Sequence, residues 1–182
     1  MQYIRRWRLP IVRVFIMRAI NKIQHFTKLI FLPIFMATYM SAVNAALPKP
    51  GDTAPEFKLK ALDGNYYTLS GMAKKGHVML VFWEPNCVYC YSHISDFNAL
   101  QKKYKGKLTI AAINFLGEYE VEVREYAESN NVKYLMLAER LNGIDVAEAY
   151  KVIGSPTIVM IGPNKKILYY GFKVPDVGKW LK

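Results

Sequence analysis

Two uninterrupted apolar runs dominate the pattern of the chain, "HVMLVFW" (His77 to Trp83) and "LTIAAINFL" (Leu108 to Leu116). Runs of this length without polar alternation predict strands buried on both faces. Between them Ile94, Phe97, Leu100 and Tyr104 recur at helical spacing, and Gly106 closes that segment. After the second run, "EVEVREYAESNN" predicts a helix that presents Val121 and Tyr126 and stops at its asparagine pair. "KYLMLAE" then reads as a strand and "IDVAEAYKV" (Ile144 to Val152) as a short helix. "SPTIVMIG" and "KKILYYG" read as two strands joined by the turn "GPNK", and "PDVGKWLK" as a last short helix. Upstream, the proline-rich "LPKPGDTAPEF" is an extended lead-in, and Asp63-Gly64 marks a hairpin within "LKALDGNYYTLS". Two early strands followed by β-α-β-α-β-α-β-β-α predict an α/β domain. Its sheet is mostly parallel and ends in an antiparallel pair.

Charge divides the chain in two. The 182 residues carry a net +11, yet Arg5, Arg6, Arg8, Arg13, Arg18, Lys22 and Lys28 precede the first carboxylate, Asp52. With those seven set aside, 18 basic residues face 14 acids, a surplus too small and scattered to argue for a nucleic-acid partner. The basic start, the apolar "LIFLPIFMATYM" (Leu29 to Met40) and the small-residue exit "SAVNAA" have the layout of an export signal. Residues 1–45 are therefore expected to be a signal peptide cleaved after Ala45, or an uncleaved membrane anchor, and 46–182 the folded domain. Met17 is an alternative start that gives a leader of ordinary length. Either way the domain is expected outside the cytoplasm, in the periplasm, touching the membrane only through a retained leader.

The only two cysteines, Cys87 and Cys90, follow the first buried strand and open a helix. At that junction backbone N–H groups and the positive end of the helix dipole stabilise a thiolate on Cys87. Two intervening residues let Cys90 reach it and close a disulfide, so the pair suits thiol–disulfide exchange. A purely structural bridge removes little chain entropy across so short a loop. Zinc needs further ligands, and only His77 and His93 remain after the leader, so no metal is expected. No cofactor is implied.

The blocks "GDTAPEFKLKALDGNYYTLS", "HVMLVFWEPNCVYC" and "AYKVIGSPTIVMIGPNKKILYYG" resemble the TlpA/ResA/DsbE branch of thioredoxin-like thiol:disulfide oxidoreductases. The resemblance implies a thioredoxin-like fold: a central mixed sheet flanked by helices, an N-terminal hairpin extension, and a β-α insertion between Leu108 and Leu137. It implies Cys87 as the attacking nucleophile, Cys90 as the buried resolving cysteine, and Pro156 as a cis-proline facing the disulfide. Ser155 would contact the bound peptide, and Trp83 would pack by the site. Asn86 stands where a tryptophan is common, His93 where an acid is common, and Val81 where thioredoxins proper carry a buried acid. Proton transfer to Cys90 would then fall to His93, set one helical turn beyond it, or to Glu84.

The resemblance further implies an exported reductase of disulfide-containing envelope proteins, recharged by a membrane thiol electron donor. "CVYC" itself leaves a disulfide oxidase or isomerase open. Peroxiredoxins share "TAPEFKLKALDGNYYTLS" but carry Thr or Ser where this chain has Glu84. A thioredoxin-like binding module with a static disulfide is the non-enzymatic alternative.

Overall fold

The computed structural model describes residues 46–181, so the expected leader lies outside the described residues. The domain opens with a hairpin, β1 (Lys58–Lys60) and β2 (Tyr66–Thr68), paired antiparallel across the Asp63-Gly64 turn. A short helix that the apolar pattern does not announce, α1 (Leu69–Ala73), follows at once. Thr68 caps it by accepting the Gly71 N–H at 2.9 Å, and Leu69, Met72 and Ala73 are buried.

The two apolar runs become the centre of a five-stranded sheet. Strand β3 (His77–Trp83) pairs in parallel with β4 (Leu108–Asn114), from His77 opposite Leu108 to Trp83 opposite Asn114. The sheet order is β5-β4-β3-β6-β7. Here β5 is Leu135–Leu137, parallel to β4; β6 is Thr157–Ile161 and β7 Ile167–Gly171, antiparallel to β3 and to β6 respectively. The expected mixed sheet with its closing antiparallel pair is what forms. Side chains alternate between two cores, so Val78, Leu80 and Phe82 pack on one face of the sheet and Met79 and Val81 on the other.

Helices cover both faces. The segment after the cysteines forms α2 (Val88–Ser92) and α3 (Ile94–Lys103), separated at His93 rather than continuous. His93 has φ −98° and ψ 0° and ends one helix while starting the next, so the bend occurs without a proline. Helix α4 (Glu120–Ser129) and edge strand β5 are the inserted β-α element, and α4 buries Val123 and Tyr126, leaving Val121 exposed. Helix α5 (Arg140–Ala149) starts four residues before the apolar pattern suggested. Its Gly143 lies where a Cβ would come 2.6 Å from the Asn114 carbonyl oxygen, so glycine allows α5 to pass close over the end of β4. The last segment is a single 3₁₀ turn, Val177–Lys179, too short for a full helix. Among the described residues no helix is long and apolar enough to cross a membrane.

Candidate active site

The site is built where β3 ends. Backbone turns sharply after Trp83, with the Cys87 N–H donating to the Glu84 carbonyl at 3.2 Å, and Cys87 becomes the N-cap of α2. Its Sγ accepts the Cys90 backbone N–H at 3.0 Å. The two sulfurs are joined in a disulfide, and Cα–Cα is 5.2 Å. Resemblance had implied only Cys90 as buried. Instead the two residues are equally enclosed, at 5% and 4% exposure, while Val88, Tyr89 and Tyr91 of the same helix are exposed. Asn86 beside them is exposed.

Strand β6 brings the second half of the site. Phe82 pairs with Thr157, which sets the residues before Thr157 beside the turn that leads to Cys87. The Ser155–Pro156 bond is cis, as the resemblance implied. Ser155 Oγ donates to Glu84 Oε1 at 3.3 Å, tying the loop before the cysteines to the proline loop. Two residues named separately from the sequence are thus one contact. His93 is placed differently. Its Nδ1 pairs with Asp96 at 3.1 Å and its ring lies near Phe97, on the side taken by α3.

Trp83 is 2% exposed and stacks on Tyr126 with ring centroids 4.0 Å apart; Tyr91 adds a tilted contact to Tyr126 at 5.2 Å. The Tyr91 hydroxyl donates to the Pro85 carbonyl at 2.7 Å, so the aromatic stack also holds the turn. The sequence pattern missed Asn114 and Glu118. Asn114 Oδ1 accepts the N–H groups of Gly117 and Glu118, at 3.0 and 3.1 Å, shaping the loop next to Trp83. A polar residue closing an otherwise apolar strand was the available signal. Trp83 Nε1, Asn114 Nδ2 and Glu118 Oε2 are buried without a hydrogen-bond partner, three such atoms at one end of β3 and β4. Natural folds leave few such groups, which marks this end of the sheet as specialised.

A model described as the AhpC/TSA family matches residues 50–170. The chain belongs to that family. This AhpC/TSA chain is 33% identical over 113 residues to the thioredoxin-like protein YneN of Bacillus subtilis, covering 61% of itself and 64% of the relative. It is also 33% identical over 118 residues to the thiol-disulfide oxidoreductase ResA of Geobacillus thermodenitrificans, covering 64% and 66%. Both alignments span under two thirds of the relative's own length. Among solved structures, the thioredoxin domain of a thiol-disulfide oxidoreductase from Bacteroides vulgatus superposes with TM-score 0.67 at 22% identity, covering 74% of this chain and 99% of that one. A thiol:disulfide interchange protein from Bacteroides sp. gives 0.63 at 22%, covering 74% and 91%. These two likenesses establish the thioredoxin-like fold.

The aromatic groups behind the site carry a pH signature. Burial, and then the neighbouring Tyr91, push Tyr126 up to about 12. Burial also raises Tyr134 and Tyr150, helped by Tyr126 and by the Glu56 carboxylate respectively. Each folded-state value lies above the unfolded value of about 10, so the folded state favours the neutral phenol. Their contribution to stability is intact below pH ~10 and is lost as pH climbs through the folded values. Unfolding midpoints in urea are expected to be flat from pH 8 to about 10 and to fall between 10 and 12. The share of phenolate absorbance that belongs to these three buried tyrosines should rise together with unfolding rather than before it.

Proposed function

We propose that the chain is an exported thiol:disulfide oxidoreductase that reduces disulfides in other envelope proteins. The observation that carries this reading is the Cys87–Cys90 disulfide at a strand-to-helix junction, with a cis Ser155–Pro156 bond held against the same turn by Glu84. In the reduced protein the Cys87 thiolate accepts the Cys90 N–H and attacks one sulfur of a substrate disulfide. A Cys87–substrate bond forms, the substrate S–S bond breaks, and the departing sulfur takes a proton. The Cys90 thiolate then attacks Cys87 Sγ, which closes Cys87–Cys90 and releases the second substrate thiol. Two electrons have moved to the substrate, and a membrane thiol donor returns them.

Glu84 is the better-placed candidate for proton transfer, since it sits in the turn and reaches Ser155, whereas His93 is engaged by Asp96. A substrate strand would lie along the half-buried Ser155 at the edge of the buried Pro156, with Trp83 behind and Asn86 at the rim. Direction is tested by the reduction potential. Equilibration of the full chain with glutathione or dithiothreitol is expected to give a value closer to thioredoxin's, about −270 mV, than to DsbA's, about −120 mV. A value at the DsbA end would make the protein an oxidase and end the reductase reading.

A further inference from the structure

We infer that the end of the domain opposite the cysteines is a docking face for an anionic lipid surface. Strands β3, β4 and β5 run parallel, so the loops that precede them share the end of the sheet remote from Cys87. Those loops and the end of α3 carry Lys74, Lys75, Lys102, Lys103, Lys105, Lys107 and Lys133, all exposed. No Asp or Glu occurs in 74–77, 102–108 or 130–135. The loops touch: the His77 N–H donates to the Lys107 carbonyl at 2.9 Å, and the Asn98 side chain accepts the Lys133 N–H at 2.8 Å. Between the last two lies an open cleft of about 710 Å³ whose lining includes Lys102, Lys105 and Lys133 with Gln101 and Tyr134.

The β6–β7 turn adds Lys165 and Lys166 at this end. Three carboxylates border this end: Glu128, which shares a cleft with Lys133 and Arg124, Asp52, which accepts the Lys49 N–H at 2.9 Å, and Glu56, which is bonded to Ser70 and Lys165; the lysines outnumber them. Acids gather instead at the cysteine end, where Glu84, Glu118, Glu120 and Glu122 follow the C-termini of β3 and β4. A domain polarised in this way is drawn to an anionic surface lysine-end first. The chain also enters the domain there, since the Gly51 N–H donates to the Ile167 carbonyl and the Ala54 N–H to the Lys165 carbonyl, both at 2.9 Å. The 45 residues before it hold seven Lys and Arg and no acid. Lipid contact at this face leaves the disulfide pointing away from the membrane, toward soluble substrates. The inference rests on charge and topology and is independent of the direction of electron flow.

The test is lysine acetylation footprinting of the full chain, read by mass spectrometry. It compares the chain alone, with phosphatidylcholine vesicles, and with vesicles containing phosphatidylglycerol. On the anionic vesicles, labelling of Lys75, Lys102, Lys105 and Lys133 is expected to fall about threefold or more while Lys58, Lys151 and Lys173 hold; 0.5 M salt should reverse the protection. K102E/K105E/K133E is expected to lower anionic-vesicle binding about tenfold. The triple Lys→Gln variant should fall between it and the parent, with turnover on a soluble disulfide unchanged in both. Absence of vesicle binding, protection spread evenly over all lysines, or protection by soluble polyphosphate but not by vesicles overturns the inference. So does a charge-reversed chain that binds as well as the parent.

Discussion

Cys87→Ala is expected to lower disulfide reduction by on the order of 10³-fold or more, to the rate of the uncatalysed thiol exchange. The size of the effect follows from the division of labour at the strand–helix junction. Only Cys87 combines the N-cap position with an N–H donor aimed at its sulfur, at 3.0 Å from Cys90 N. The capping interaction favours the thiolate, which is the attacking species. Cys90→Ala leaves that thiolate in place but removes the group that displaces the substrate. It should therefore accumulate a Cys87–substrate mixed disulfide that survives denaturing gels and dissolves on adding dithiothreitol. Mass spectrometry of the trapped species names the partner. A Cys90→Ala chain that traps nothing, with a Cys87 alkylated no faster than a free thiol at neutral pH, would favour a static disulfide in a binding module.

The second large effect lies away from the cysteines. Tyr150→Ala is expected to cost about 4 kcal/mol of folding stability, on the scale of aromatic-to-alanine changes in packed cores. Tyr150 is fully buried, packs against Phe82 with ring centroids 5.4 Å apart, and donates its hydroxyl to the Pro55 carbonyl at 2.7 Å. It thus ties the end of α5, the central strand that leads to the cysteines, and the proline-rich lead-in. Tyr150→Phe retains the packing and leaves the Pro55 carbonyl without its donor, which should cost about 1 kcal/mol. Thermal and urea unfolding of the pair separate the two contributions. The alanine variant should melt roughly 10–15 °C below the parent. Equal losses in the two variants would show that the hydrogen bond, rather than the packed ring, dominates.

The contrast between these residues shows what kind of information each level of structure holds. The Cys87–Cys90 bridge was legible because its placement depends on neighbours in the chain: a buried strand before, a helix after, two residues between. The order of strands and the closing antiparallel pair were legible for a similar reason. Apolar runs of strand length report burial on both faces, and short turns such as "GPNK" force antiparallel return. Pro156 was legible only through resemblance, since a proline before a strand has an ordinary local explanation.

Other features depended on packing. The break at His93 was not visible, because Cys90 before it and Ile94 and Phe97 after it keep helical spacing across it. Its consequence is that a residue counted as one turn from Cys90 pairs with Asp96. The early start of α5 fell outside the apolar pattern, which begins at Ile144; Gly143 in its first turns answers a close approach to the Asn114 carbonyl. Val123 rather than Val121 faces inward because the sheet surface, not the pattern within ten residues, sets the rotation of α4.

By itself, then, the sequence determined the α/β order of elements, the hairpin at the start, and two cysteines within bonding reach at a strand–helix junction. Each follows from periodicity, turn chemistry or spacing within a few residues. Only the tertiary structure decided that Glu84 meets Ser155, that Trp83 rests on Tyr126, and that lysines from three separate loops share one end of the sheet. Those pairings join positions between 43 and 71 residues apart or bring together loops before parallel strands, and chain-local forces carry no record of them.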